Sequence, residues 1–97
     1  MKLNPREEEL YRAVDEVLHY LWDPIGISSI PEARDEYYGY FQDVFDLVRN
    51  GAAHVAIATY LCKVVTDRMG LPANAHHDQE VARVLVAWRI AVAAKAA

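Results

Sequence analysis

The sequence predicts an all-α fold, a compact bundle of about four helices with short connections. Three observations predict it. Apolar residues recur at three-and-four spacing in four separate stretches, which is the pitch of helix faces that turn toward a core. Proline and glycine stops stand between those stretches. No stretch alternates apolar and polar residues in the way a half-buried strand requires. The 97 residues are enough for one domain, 1–97, with a core that needs no staples.

The first helix is expected over residues 5–21. Asn4 before Pro5 reads as an N-cap followed by a proline in the first turn, where its missing N–H costs nothing. Glu7, Glu8 and Glu9 suit the positive end of the helix dipole. Leu10, Ala13, Val14, Val17, Leu18 and Leu21 form one stripe, and Asp23-Pro24 stops it. The segment from Trp22 to Ile27 is too short and too marked by proline and glycine to be a strand, yet it is too apolar for an ordinary solvent loop. Trp22, Ile25 and Ile27 are expected to fold back on the core, with Gly26 at positive φ.

Ser29-Ile30-Pro31-Glu32 reads as a capping box that opens a second helix over residues 31–49. Its stripe is Tyr37, Phe41, Val44, Phe45 and Val48, and Asn50-Gly51 is its stop. Tyr37, Tyr38 and Tyr40 span too wide an arc for all three to point inward. A third helix is expected over residues 53–69, with Ile57, Leu61, Val64 and Val65 inward and Gly70 and Pro72 beyond its end. A fourth is expected to start near His77 or Asp78, with Val81, Val84, Leu85, Trp88 and Val92 inward. Val86 and Ile90 make it apolar on more than one side, so it either sits centrally or supplies a homodimer surface.

The net charge of −4 is unevenly divided: residues 1–50 carry −6 and residues 51–97 carry +2. An acidic half argues against nucleic acid as the partner and suits a basic protein. The longest apolar run, residues 84–94, contains Arg89 and is too short for a membrane span. No signal peptide opens the chain, and the single cysteine, Cys62, fits a reducing compartment, so a cytoplasmic protein is expected.

No catalytic triad, phosphate loop or zinc framework is present. The expected contact surface is an acidic, aromatic face on the second helix together with the 22–27 loop: Trp22, Asp23, Asp35, Glu36, Tyr38, Tyr40, Asp43 and Asp46. Asp23 is read first as a loop-fixing carboxylate that accepts N–H groups of the second helix or pairs with Arg34. An alternative is a small carboxylate- or metal-dependent hydrolase using Asp23, Asp35, Glu36 and His76, which requires them to share a cleft. His76 and Glu80 share a helix face but lack the further ligands of a stable metal site. No cofactor is expected. His19 and His54 read as surface or core-edge residues, and Cys62 as a packed thiol. A third reading is a structural subunit that oligomerises through the fourth helix.

Trp22-Asp23-Pro24-Ile25-Gly26, then Glu32-Ala33-Arg34-Asp35-Glu36-Tyr37, then Gly51-Ala52, Ile57-Ala58, Tyr60-Leu61 and Met69-Gly70-Leu71 resemble a group of small bacterial proteins of unknown function. That group carries a W-D-P-I-G loop followed by D-E-Y, and the likeness spans about residues 17–90. The resemblance implies a cytoplasmic helical domain, and an immunity-like role beside a toxin. Two positions depart from the pattern: Tyr38 stands where an acid is common, and Ala53 where serine or aspartate opens the third helix. The second departure implies a missing cap, at a cost of about 1 kcal/mol.

Overall fold

A computed structural model describes residues 2–95. It is all-α, with four helices and no strand among the described residues. α1 spans Pro5–Glu16, α2 Tyr38–Arg49, α3 His54–Lys63 and α4 Ala75–Ala94. All four contribute to one apolar cluster, in which Trp22, Phe45, Leu18, Ile57, Leu61 and Leu85 are the largest fully buried side chains. The pairing of α3 with α4 is the most extensive.

The start of α1 follows its sequence. The Asn4 side chain accepts from the Glu7 N–H at 2.8 Å, and the Glu7 carboxylate accepts from the Asn4 N–H at 3.1 Å. Two orphan donors are thereby satisfied reciprocally. The end of α1 differs from expectation. After Glu16 the chain widens into a π-helical turn, Val17–Trp22, which the Asp23 N–H closes by donating to the Leu18 carbonyl five residues back. The extra residue in the turn rotates Trp22 into the core, where it is 1% exposed, and leaves Leu21 at the surface. α3 ends in the same way, in a π-helical turn over Val64–Arg68.

The expected second helix over residues 31–49 is broken. Pro31–Ala33 is one 3-10 turn, residues 34–37 form turns, and α2 begins only at Tyr38. The capping box at Ser29 does not form, because the residue before the 3-10 turn is Ile30 and no side chain caps it. Tyr37 explains the break, since its ring is buried at 3% exposure while its hydroxyl is taken by the loop. The expected α2 stripe is buried throughout, and Gly51 ends the helix at φ 88°. At the start of α3, Ala53 makes no side-chain cap, as its missing side-chain acceptor implies.

α4 starts earlier than expected, at Ala75, because the Asn74 side chain caps it by accepting from the His77 N–H at 3.3 Å. Trp88 is not core: it is 40% exposed, beside Pro5, Glu8 and Arg12 of α1. Arg89, the charge inside the apolar run, donates to the Val48 and Ala52 carbonyls at 3.1 and 2.8 Å. It therefore satisfies backbone acceptors at the end of α2 and fastens α4 to them. No described helix is long and apolar enough to cross a membrane.

Candidate functional site

The 23–28 loop is built around one carboxylate. Asp23 stands at φ 35°, a left-handed conformation that aspartate tolerates better than most residues. Its Oδ1 accepts from the Ile27 N–H at 2.7 Å, and its Oδ2 from the Ser28 N–H at 3.1 Å. The Tyr37 hydroxyl donates to Oδ1 at 2.7 Å and accepts from the Ile25 N–H at 3.2 Å. Burial alone raises the Asp23 pKa, but the Tyr37 hydroxyl and the two N–H groups outweigh it and hold the carboxyl below its ordinary value. Burial raises the Tyr37 hydroxyl well above its ordinary value, and the Asp23 charge adds to this.

Asp23 thus fixes the loop, but with partners other than those expected. The donors come from the loop and Tyr37, and Arg34 pairs instead with Asp15 of α1 in a bidentate contact at 2.9 and 3.0 Å. Gly26 takes φ 69° as expected. Of the apolar residues expected to plug the core, Trp22 is buried and Ile27 half-buried, whereas Ile25 is 44% exposed.

Behind the loop lies a cleft of about 510 Å³. Trp22, Asp23 and Pro24 line it from one side of the chain, Val65 and Leu71 from the end of α3, and Asn74, His77 and Asp78 from the start of α4. The Trp22 indole N–H donates to Asp78 Oδ1 at 3.1 Å, and His77 Nε2 lies 2.9 Å from the Trp22 carbonyl. A carbonyl only accepts, so Nε2 carries the proton of this bond. Asp78 is 2% exposed, and its second oxygen, Oδ2, has no hydrogen-bond partner among the described residues. Burial raises the Asp78 pKa, and the Trp22 bond and nearby His77 offset this only in part. Nothing in the residue pattern marks this role, because Asp78 reads as an ordinary first-turn acid. A tryptophan and an aspartate 56 residues apart carry no spacing signal.

The eight residues expected to share one surface lie in three places. Trp22 and Asp23 belong to the cleft. Asp35, Glu36 and Tyr38 are exposed just before and at the start of α2. Tyr40 lies about 200° round α2 from Tyr38, and Asp43 and Asp46 border a groove with Tyr60 of α3. Tyr40 meets the Trp22 ring at 6.3 Å and lies under the Arg68 guanidinium at 5.8 Å. Asp43 accepts from the Tyr60 hydroxyl at 2.8 Å. Burial and that carboxylate push Tyr60 up to about 12. Asp46 accepts from Gln42 and Arg49, each at 3.0 Å.

The grouping expected for a hydrolase is not assembled. Asp23 lines the cleft with His77 and Asp78, whereas Asp35, Glu36 and His76 are exposed and do not line it. No group of three or more His, Cys, Asp or Glu among the described residues has the geometry of a metal site. His19, expected at the surface or core edge, is 3% exposed. His54 and Cys62 are half-buried along a groove between α3 and α4.

Tertiary packing creates a surface that no single helix carries. Tyr11 of α1 packs edge-on against Phe41 at 4.5 Å, and Tyr38 meets the same ring at 6.4 Å. The Arg34 guanidinium, held by Asp15, lies over the Tyr20 ring at 5.6 Å. Its pKa is raised, chiefly by the Asp15 bond, with smaller contributions from Tyr38 and Tyr20. Tyr11, Tyr20 and Tyr38 are 41%, 60% and 54% exposed; Tyr20 and Tyr38 lie near the arginine, and Tyr11 shares the Phe41 ring with Tyr38. Sequence reading missed Tyr11 and Tyr20 because each sits on a different helix from Tyr38.

No protein-family model matches the chain, and neither a curated protein nor a solved structure does.

Proposed function

We propose that this protein is a non-enzymatic, cytoplasmic interaction domain that docks a basic protein partner through the tyrosine face between α1 and the start of α2. The observation that carries this reading is the placement of Tyr20 and Tyr38 about the Arg34–Asp15 pair, with Tyr11 on the Phe41 ring that Tyr38 also meets. Tyrosine and arginine dominate the energetically important positions of protein interfaces, because each combines apolar area with a directional polar group. Asp35 and Glu36 stand exposed beside this face, on the half of the chain that carries −6. Such a surround draws a basic partner in and orients it before contact. The reading's most specific form is an immunity-like inhibitor that covers a basic toxin surface, in line with the W-D-P-I-G resemblance.

Dimerisation through α4 receives less support. Trp88 and Ile90 are both exposed, but two positions on a helix stand about 200° apart and make no single patch.

Affinity capture from native lysate tests the reading. The wild type is compared with a Y20A/Y38A double variant and a D35K/E36K double variant. The expected outcome is one partner retained by the wild type and lost from both variants. Undiminished capture by both removes this face from consideration. Loss only with D43K/D46K moves the contact to the groove that Asp43 and Asp46 border.

A further inference from the structure

The half of the chain that carries +2 holds a groove of about 500 Å³ between α3 and α4. Its lining recurs at helical spacing, from His54 through Ala58 and Cys62 to Thr66 on one wall and as Ala75, Gln79 and Arg83 on the other. The floor is made of small side chains, with Ala58 buried and Cys62 and Thr66 half-buried. Thr59 and Thr66 donate their hydroxyl protons to the Val55 and Cys62 carbonyls at 2.8 and 3.1 Å, so neither offers the groove a free donor. Two cations line it, Lys63 on the α3 wall and Arg83 on the α4 wall, and no carboxylate does. Lys63 has no ion-pair partner among the described residues. Arg83 pairs with Glu80 of its own helix at 3.0 Å, but both side chains are 54% exposed, so that pair is readily exchanged. Apolar side chains stand uncovered at one end. Val55 is 63% exposed at the start of α3, and Ile90, seven residues beyond Arg83 and so on the same face of α4, is 61% exposed. The Arg89 bond to the Ala52 carbonyl places this part of α4 beside the start of α3.

We propose that this groove docks an acidic amphipathic helix of a protein partner, its apolar residues resting on Val55, Ala58 and Cys62 and its carboxylates pairing with Lys63 on one wall and Arg83 on the other. From His54 to Thr66 the groove runs about 18 Å at a helical rise, which accommodates about three turns of a docked helix. Small floor residues let that helix approach to the about 8–10 Å of ordinary helix packing. The charges select the occupant. A second copy of this chain docked about a two-fold axis would set Lys63 and Arg83 against the same cations of its partner. A phosphate backbone would find two cations on a chain of net charge −4. A small anion would lie unenclosed, because Val55, Thr59, Lys63, Gln79 and Arg83 are all exposed and the groove is open along its side. A helix with carboxylates along both flanks meets both walls at once. The groove is separate from the tyrosine face and does not depend on the partner proposed for it.

The test is an NMR titration of the full chain with a synthetic helix of about three turns, hydrocarbon-stapled on its outer face so that helix formation does not limit binding. Leucine occupies its i, i+3, i+4 and i+7 positions and glutamate its flanks. One control peptide carries lysine for glutamate, and a second carries alanine for leucine. The proposal expects saturable amide shifts at Val55, Thr59, Cys62 and Gln79 with the glutamate peptide, and none with either control at the same concentration. K63E/R83E, at two exposed positions, should bind the glutamate peptide about tenfold more weakly and should now accept the lysine peptide. A flat wild-type titration overturns the proposal without reference to any variant. Undiminished affinity in a folded K63E/R83E, or shifts confined to the tyrosine face, overturns it as well. Two further measurements cover the other occupants. Light scattering that finds a dimer broken by K63E/R83E assigns the groove to a second copy, and tighter binding of decanoate than of the glutamate peptide assigns it to a small amphiphile. Either result overturns the proposal.

Discussion

Asp23 and Asp78 line one cleft from different elements, and the fold solvates them in opposite ways. Asp23 sits on a turn, where successive backbone N–H groups point inward, and it accepts from two of them and from a hydroxyl. Asp78 sits in the first turn of α4, where the His77 N–H is taken by the Asn74 side chain and its own N–H by the Asn74 carbonyl, and it receives one indole N–H. The pKa therefore falls at the first and rises at the second. Loop geometry brings its own donors to a carboxylate, whereas a helical position relies on whatever the tertiary fold delivers. The first arrangement is self-contained and reads as structural. The second is left with one acceptor that no described residue meets.

Removing the group that joins the two walls should have the largest effect. Trp22 is fully buried, and its backbone carbonyl and indole hold His77 and Asp78 respectively. W22A should cost about 3–5 kcal/mol, a large part of a small domain's stability, as read by urea unfolding with circular dichroism. A loss under about 1 kcal/mol would mean that the two walls are held together by something else.

Tyr37 isolates the loop wall. Y37F keeps the ring in the core but removes the hydroxyl that bridges Asp23 and Ile25, at a cost of about 1–3 kcal/mol. Amide exchange should accelerate at Ile25, Ile27 and Ser28 while the α4 amides stay protected. Equal acceleration in α4 would show that the walls are one cooperative unit.

The opposite pKa shifts predict opposite pH dependences. Asp23 has a folded pKa below its ordinary 3.8, so its stabilisation is present above 3.8 and is lost as the pH falls through the folded value. Asp78 has a folded pKa above 3.8, so its contribution is greatest below 3.8 and is lost as the pH rises through the folded value. Relative to D78N, the wild type should lose stability as the pH is raised from about 4. Relative to D23N, it should gain stability as the pH approaches about 4 from below. Parallel curves for the two variants would remove the contrast.

The smallest effect on stability is expected at the tyrosine face. Tyr38 is 54% exposed, so Y38A should change unfolding by no more than about 0.5 kcal/mol. A larger cost would make that ring part of the core and no longer a surface available for docking.

The legible parts of the fold were those governed by near neighbours. The Asn4 cap, the positive φ at Gly26, Gly51 and Gly70, and the buried stripe from Phe41 to Val48 follow from local chemistry and helical pitch. The capping-box reading at Ser29 failed because Tyr37 is drawn into the loop, and the helix can start only after that residue is placed. Trp88 was misplaced because pitch names a face but not what covers it, and here it lies only partly covered beside α1. Of the candidate site, Trp22 and Asp23 were legible as residues, but Asp78 and the cation–π partner of Arg34 were not.

By itself, the sequence determined that the chain is helical, where its helices stop, and that a carboxylate organises the turn after Trp22. Those features depend on interactions within a few residues, whose geometry the peptide backbone dictates. Only the tertiary structure decided which distant groups meet: Trp22 with Asp78, Arg34 with Asp15, and three tyrosines on one face. The register in which helices pack sets those meetings, and a π-helical turn shifts every later side chain by about 100° without leaving a mark in the pattern of residues.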